Sequence, residues 1–114
     1  MNEIYNYPQR IMRYRRAIAN FGANGETTLR FLDHIASQGP SQARISKTAS
    51  HIPALLRLID YKLADATRAD IERTVAAIHA NQRWHEWTKH DKKLILRKLV
   101  RQARTLHTRN ANPA

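Results

Sequence analysis

The sequence predicts an all-α fold, a compact bundle of four to five helices. Apolar residues recur at helical spacing in five successive segments, and β-branched residues alternate with polar ones nowhere along the chain. Only three glycines and four prolines punctuate 114 residues. That length suits one domain with its own core and is too short for a binding domain plus a separate catalytic domain.

The first helix is expected over about 8–21. Ile11, Tyr14, Ile18 and Phe21 fall on one face, Pro8 suits a first turn, and Gly22 ends it. The second is expected over about 24–37, with Asn24 as N-cap and Leu29, Leu32, Ile35 and Ala36 inward. Gly39-Pro40 is its stop. Ser41 then caps a long segment to about Ile59, with Ile45, Ala49, Ile52, Leu55, Leu56 and Ile59 as its apolar stripe. Pro53 lies inside that stripe and predicts a kink, or two helices meeting near residues 50–52. Thr67 followed by Asp70 resembles a capping box and opens a helix to about His79, with Ile71, Val75 and Ile78 inward. Residues 81–86 connect it to a last helix over about 88–106, where Ile95, Leu96, Leu99, Ala103 and Leu106 gather on one side. The remaining residues, 108–114, read as a tail or the start of a linker.

Composition removes several function classes. With no cysteine there is no disulfide scaffold, thiol nucleophile or thiolate metal site. No window is long and apolar enough to span a bilayer and the start lacks a secretory core, so no membrane partner and a cytoplasmic location are expected. Charge is the informative quantity: 20 Lys and Arg against 9 Asp and Glu give a net charge of +11. A chain so far from neutrality repels itself unless its partner is a polyanion, and nucleic acid is the commonest one. The charge is also clustered. Arg10, Arg13, Arg15 and Arg16 stand together without an acid, and residues 88–109 hold eight bases against Asp91 alone.

In the last helix Lys89, Lys93, Arg97, Arg101 and Arg104 form a row expected roughly opposite the apolar stripe. Like charges four residues apart repel by a few tenths of a kcal/mol per pair, roughly the usual helix-pair magnitude, and phosphates would relieve them. This row is the leading candidate for DNA contact. His79, His85 and His90 lack the spacing and companions of a ligand set, so no metal and no cofactor are expected. Trp84 and Trp87 read as core plugs or helix caps, Trp87 above all, in preference to base-stacking platforms. No glycine-rich phosphate loop, serine elbow or paired-carboxylate arrangement is present, so neither catalysis nor a small-molecule substrate is expected.

Two stretches together resemble the core-binding domain of tyrosine recombinases, or phage-type integrases, particularly the archaeal type. One is FLDHIASQGPSQARISKTASHIPALLRLI, residues 31–59, similar to the family's helix, glycine break and Ser-x-x-Arg/Thr-Ile helix. The other is LADATRADIERTVAAIHANQRWHEWTKHDKKLILRKLV, residues 63–100, with an Ala-Thr-x-x-Asp-Ile turn and a Glu-Trp-Thr-Lys-His-Asp-x-Lys opening of the last helix. The resemblance implies a SAM-like helical domain that forms one jaw of a clamp on duplex DNA. It covers about residues 24–106, so the chain is expected to divide into a basic N-terminal helical segment over 1–23, outside the match, the core-binding domain over 24–107, and a tail or linker over 108–114. By correspondence of positions it assigns DNA contacts to Gln42, Arg44, Lys47 and His51 in the long helix, and to Thr88, Lys89, His90, Lys93 and Arg97 in the last. The family's catalytic half is missing: no His-x-x-Arg follows any histidine, and the last tyrosine is Tyr61. The chain is then either an excised piece of an integrase, partnered by a C-terminal catalytic domain, or a free-standing occupant of recombinase sites. A basic helical adaptor for an acidic protein and an RNA-binding helical module are the alternatives.

Overall fold

In the computed structural model, residues 6–111 are described, with side chains through residue 105. The chain is all-α: five α-helices and a short 3-10 turn, with no strand among the described residues. Its packing falls into two units, one ending at Leu56 and the other beginning at Arg57.

The first unit holds α1 (Tyr7–Ala19), α2 (Gly22–Ser37) and α3 (Gln42–Leu56). The Asn6 side chain caps α1 by accepting from the Gln9 N–H at 3.3 Å, and Pro8 occupies the first turn as expected. Within the unit α1 packs on α3 and on α2, and α2 packs on α3. The arginine-rich first helix is therefore part of this unit's packing. Its Ile18 is completely buried, while Ile11 and Tyr14 are half-buried.

Asn24 does not cap α2. The helix starts earlier, at Gly22, whose φ of +62° lets the chain reverse out of α1. Asn24 sits inside the first turn, where its carbonyl accepts from the Thr28 hydroxyl at 2.7 Å. The buried face is Gly25, Thr28, Phe31 and Leu32, and Ala36 is exposed instead of inward. At Gly25 α2 lies close against α1, because a Cβ there would collide with the Ile18 carbonyl.

Gly39, at φ +79°, and Pro40 separate α2 from α3 as expected. The Ser41 hydroxyl accepts from the Arg44 N–H at 3.2 Å, which makes Ser41 the cap of α3. The helix runs through Pro53 without a break and ends at Leu56, short of Ile59. The proline falls in the last turn, so the bond that it removes is one of the last in the ladder. Ala49, Ile52, Leu55 and Leu56 are buried on both sides of it, at about 1.5 to 3 kcal/mol for each large aliphatic side chain.

The second unit contains the 3-10 turn Leu63–Asp65, α4 (Arg68–Ala80) and α5 (Glu86–Ala111). Thr67 and Asp70 form the expected capping box: Thr67 Oγ1 accepts from the Asp70 N–H at 3.1 Å, and Asp70 Oδ2 accepts from the Thr67 N–H at 3.0 Å. α5 packs on the 3-10 turn and on α4. Leu63, Ile78, Leu96 and Leu99 are completely buried. Thr74 is buried too, and its hydroxyl donates to the Asp70 carbonyl, so it accepts from the Tyr61 hydroxyl 2.6 Å away. α5 starts two residues before the expected Thr88 and stays helical into the expected tail, through Ala111. The side chain of Leu106, expected in its apolar stripe, lies outside the described residues, as do residues 112–114 of the expected tail.

Candidate nucleic-acid interface

On α3, Arg44, Lys47 and His51 fall on one side, away from Ala49 and Leu56, and the buried Leu55 lies on that same side one turn after His51. Arg44 and Lys47 are exposed and His51 is half-buried. Gln42 is exposed as well, but at a different angle in the first turn. The first turn of α3 contains no acid to compete with an anion for its N-terminal N–H groups.

The α5 row does not lie opposite the apolar stripe. Each step of four residues turns about 400°, so the row drifts by roughly 40° per step around the helix. It begins on the flank that meets α4 and reaches the outer surface only after a full heptad. Lys89, 14% exposed at its side chain, donates from Nζ to the His79 carbonyl at 2.8 Å and lies 3.6 Å from Glu86. Lys93 Nζ is 3.3 Å from His79 Nε2. Both ammonium groups thus sit against the C-terminal turn of α4, where the orphan carbonyls and the negative end of the helix dipole favour a cation. Thr88 is half-buried toward the core side, while His90 and Arg97 are exposed. The five α5 residues assigned to DNA therefore do not form one surface.

The outward cations are Arg97, Lys98 and Arg101, all exposed. None of their side chains makes a hydrogen bond or ion pair among the described residues. Arg104 is anchored, its Nη2 donating to the Ala66 carbonyl at 2.6 Å. Arg97, Arg101 and Arg104 border a groove of about 390 Å³ that is also lined by Ile71, Val100 and Thr105. Arg101 belongs to the row read from the sequence, though not to the positions assigned by the resemblance, and Lys98 is in neither set. Extending the helical wheel with its 40° drift would have found Lys98.

Two aromatic expectations change. Trp87, expected as the firmer core plug, is 80% exposed on the first turn of α5. It lies about 120° around the helix from Leu99, clear of the apolar stripe. Trp84 is half-buried, and its ring faces the Lys92 ammonium at 4.5 Å from the centroid. Lys92 is the other residue that the sequence reading missed. It is 3% exposed, and burial lowers its pKa, opposed by the nearby Asp91 carboxylate. The signal was available, because Lys92 precedes Leu96, Leu99 and Ala103 at spacings of four, seven and eleven, on the buried stripe itself.

Elsewhere most of the described carboxylates, though not the exposed Asp65, are engaged locally. Asp33 pairs with Arg15 at 3.0 Å, Glu26 with Arg30 at 3.2 Å and Glu72 with Arg68 at 3.7 Å. Asp60 and Asp70 both pair with Arg73, at 2.8 and 3.1 Å. No three His, Asp or Glu side chains among the described residues are placed to hold a metal ion, and no helix among them is long and apolar enough to cross a membrane. No protein-family model, curated protein or solved structure matches the chain.

Proposed function

We propose that the chain is a duplex-DNA-binding helical domain of the kind tyrosine recombinases use as a core-binding jaw, acting on DNA without a chemical step of its own. The observation that carries this reading is the distribution of acids. Asp33, Glu26, Glu72, Asp60, Asp70 and Glu86 are spent on local bases, while Arg44 and Lys47 on α3 and Arg97, Lys98 and Arg101 on α5 face outward unneutralised. Rows of this kind follow a phosphate backbone, and the counterions that they displace supply the affinity. The Ser41 cap, the Thr67/Asp70 box and the basic final helix stand in the order that the recombinase resemblance calls for.

Fluorescence anisotropy with a labelled duplex across a salt series tests the reading. Five to eight phosphate contacts predict a slope of log affinity against log salt of roughly −4 to −7. A slope near zero removes nucleic acid as the partner. Tighter binding to an RNA duplex, or to polyglutamate at matched charge, selects one of the two alternatives.

A further inference from the structure

We propose that the groove framed by Arg97, Arg101 and Arg104 is a phosphate site, and that it seats one backbone phosphate of the bound nucleic acid with the sugar carbons against Ile71 and Val100. The inference rests on the DNA reading for the source of the phosphate; the ligand chemistry rests on the groove alone. Among the described residues its lining is three arginines, one threonine and two aliphatic residues, with no acid. Arg97, Arg101 and Arg104 follow at spacings of four and three, so they stand over one side of α5, and Ile71 of α4 forms the opposite wall.

Two features favour an anion with several acceptor oxygens. Arg104 is held at its head by the Ala66 carbonyl at 2.6 Å, which fixes the orientation of its guanidinium fork beside the groove. Arg97 and Arg101 carry like charges one turn apart with no acid to separate them, a repulsion that a shared phosphate removes. The Thr105 hydroxyl donates to the Arg101 carbonyl at 3.0 Å, so toward a ligand it acts as an acceptor and the guanidinium groups supply the donors. This places the phosphate contact on the later half of α5, beyond Lys89 and Lys93, whose ammonium groups are already turned to His79.

The test uses the full chain and two probes. Titration with inorganic phosphate, followed through the arginine Nε–Hε resonances, should shift Arg97, Arg101 and Arg104 and leave Arg13 and Arg16 in place. With labelled duplex, Arg97→Ala/Arg101→Ala should weaken binding about tenfold and flatten the salt slope by roughly 1, the value of one phosphate. Arg101→Lys should recover only part of the affinity, since an ammonium lacks the bidentate fork. Arg13→Ala/Arg16→Ala removes the same charge from α1 and should cost less. Equal losses from the two double variants overturn the site in favour of diffuse electrostatics. Phosphate shifts at the three arginines with no duplex binding uphold the site and overturn the DNA reading. The absence of those shifts overturns the site whatever the duplex does, and so does an equal response to polyglutamate at matched charge.

Discussion

At Gly25 a methyl group would occupy space already taken by the Ile18 carbonyl, and a carbonyl in a helix cannot swing aside as a flexible side chain can. Alanine is the better helix former by about 1 kcal/mol, while a steric insertion of this kind costs about 1 to 3 kcal/mol. Gly25→Ala is therefore expected to destabilise the chain, seen as a lower urea midpoint with an unchanged m-value. Lys92 is the opposite case, a charge placed where solvent is scarce. Burial lowers its pKa below the usual 10.5, so the unfolded chain holds more protons between the folded value and 10.5. Stability then rises with pH through that window, and the penalty is present in full below it. Tyr61 works the other way. Burial raises its pKa above 10.0, so its contribution is lost as pH climbs through the raised value. Comparing wild type with Lys92→Met isolates the lysine: methionine keeps the stem, loses the charge and the contact with Trp84, and should flatten the alkaline rise. An unchanged rise would place its origin elsewhere.

At the scale of the element, the capping box gives a sharp expectation. Thr67→Ala removes the acceptor for the Asp70 N–H and should cost about 1 kcal/mol, read by chemical denaturation at neutral pH. The Thr67 N–H holds the Asp70 carboxyl below its ordinary pKa of 3.8, with Arg73 helping. That contribution is present above the unfolded value and is lost as pH falls through the lowered one, so Asp70→Asn should remove part of the acid sensitivity. This box, the Ser41 cap and the Gly39-Pro40 stop were all legible in the sequence because each is closed within four residues. Ala36, Asn24 and the α5 row were not. Their surroundings are set by what lies beside them: Ala36 shares the face of Gly25 and Leu32 but falls in the last turn of α2, where it is exposed, and the C-terminus of α4 captures Lys89 and Lys93. Spacing alone reported their faces and could not say which face a neighbour covers. Trp87 was misplaced for another reason. Its apolar bulk outweighed its angle on the wheel, and the angle was the better guide.

For the molecule as a whole, charge and chemistry divide unevenly. Residues 1–56 carry seven Lys and Arg against three Asp and Glu, and residues 57–114 thirteen against six, which splits the net +11 into +4 and +7. No tyrosine in either part is set up as a nucleophile by a His-x-x-Arg partner, and the Tyr61 hydroxyl is bonded to Thr74 with its proton held more firmly than usual. Incubation with supercoiled plasmid is expected to yield no covalent protein–DNA adduct on denaturing gels. The charge itself predicts two opposing responses to salt. Without DNA, raising salt from about 0.05 to 0.5 M screens the self-repulsion of a +11 chain and should raise Tm. With duplex at about 100 times Kd in low salt, binding adds roughly 2.7 kcal/mol, or about 10 to 20 °C for a chain near this size. A salt slope near −5 weakens that affinity by about five orders of magnitude over the same tenfold range, and the gain vanishes. The DNA-bound Tm should therefore fall toward a free-chain Tm that is rising, and the two curves should meet near the upper end of the series. A free-chain curve that does not rise would mean that the charge is already neutralised within the fold. A bound curve that tracks the free one at every salt would mean that duplex DNA does not engage it.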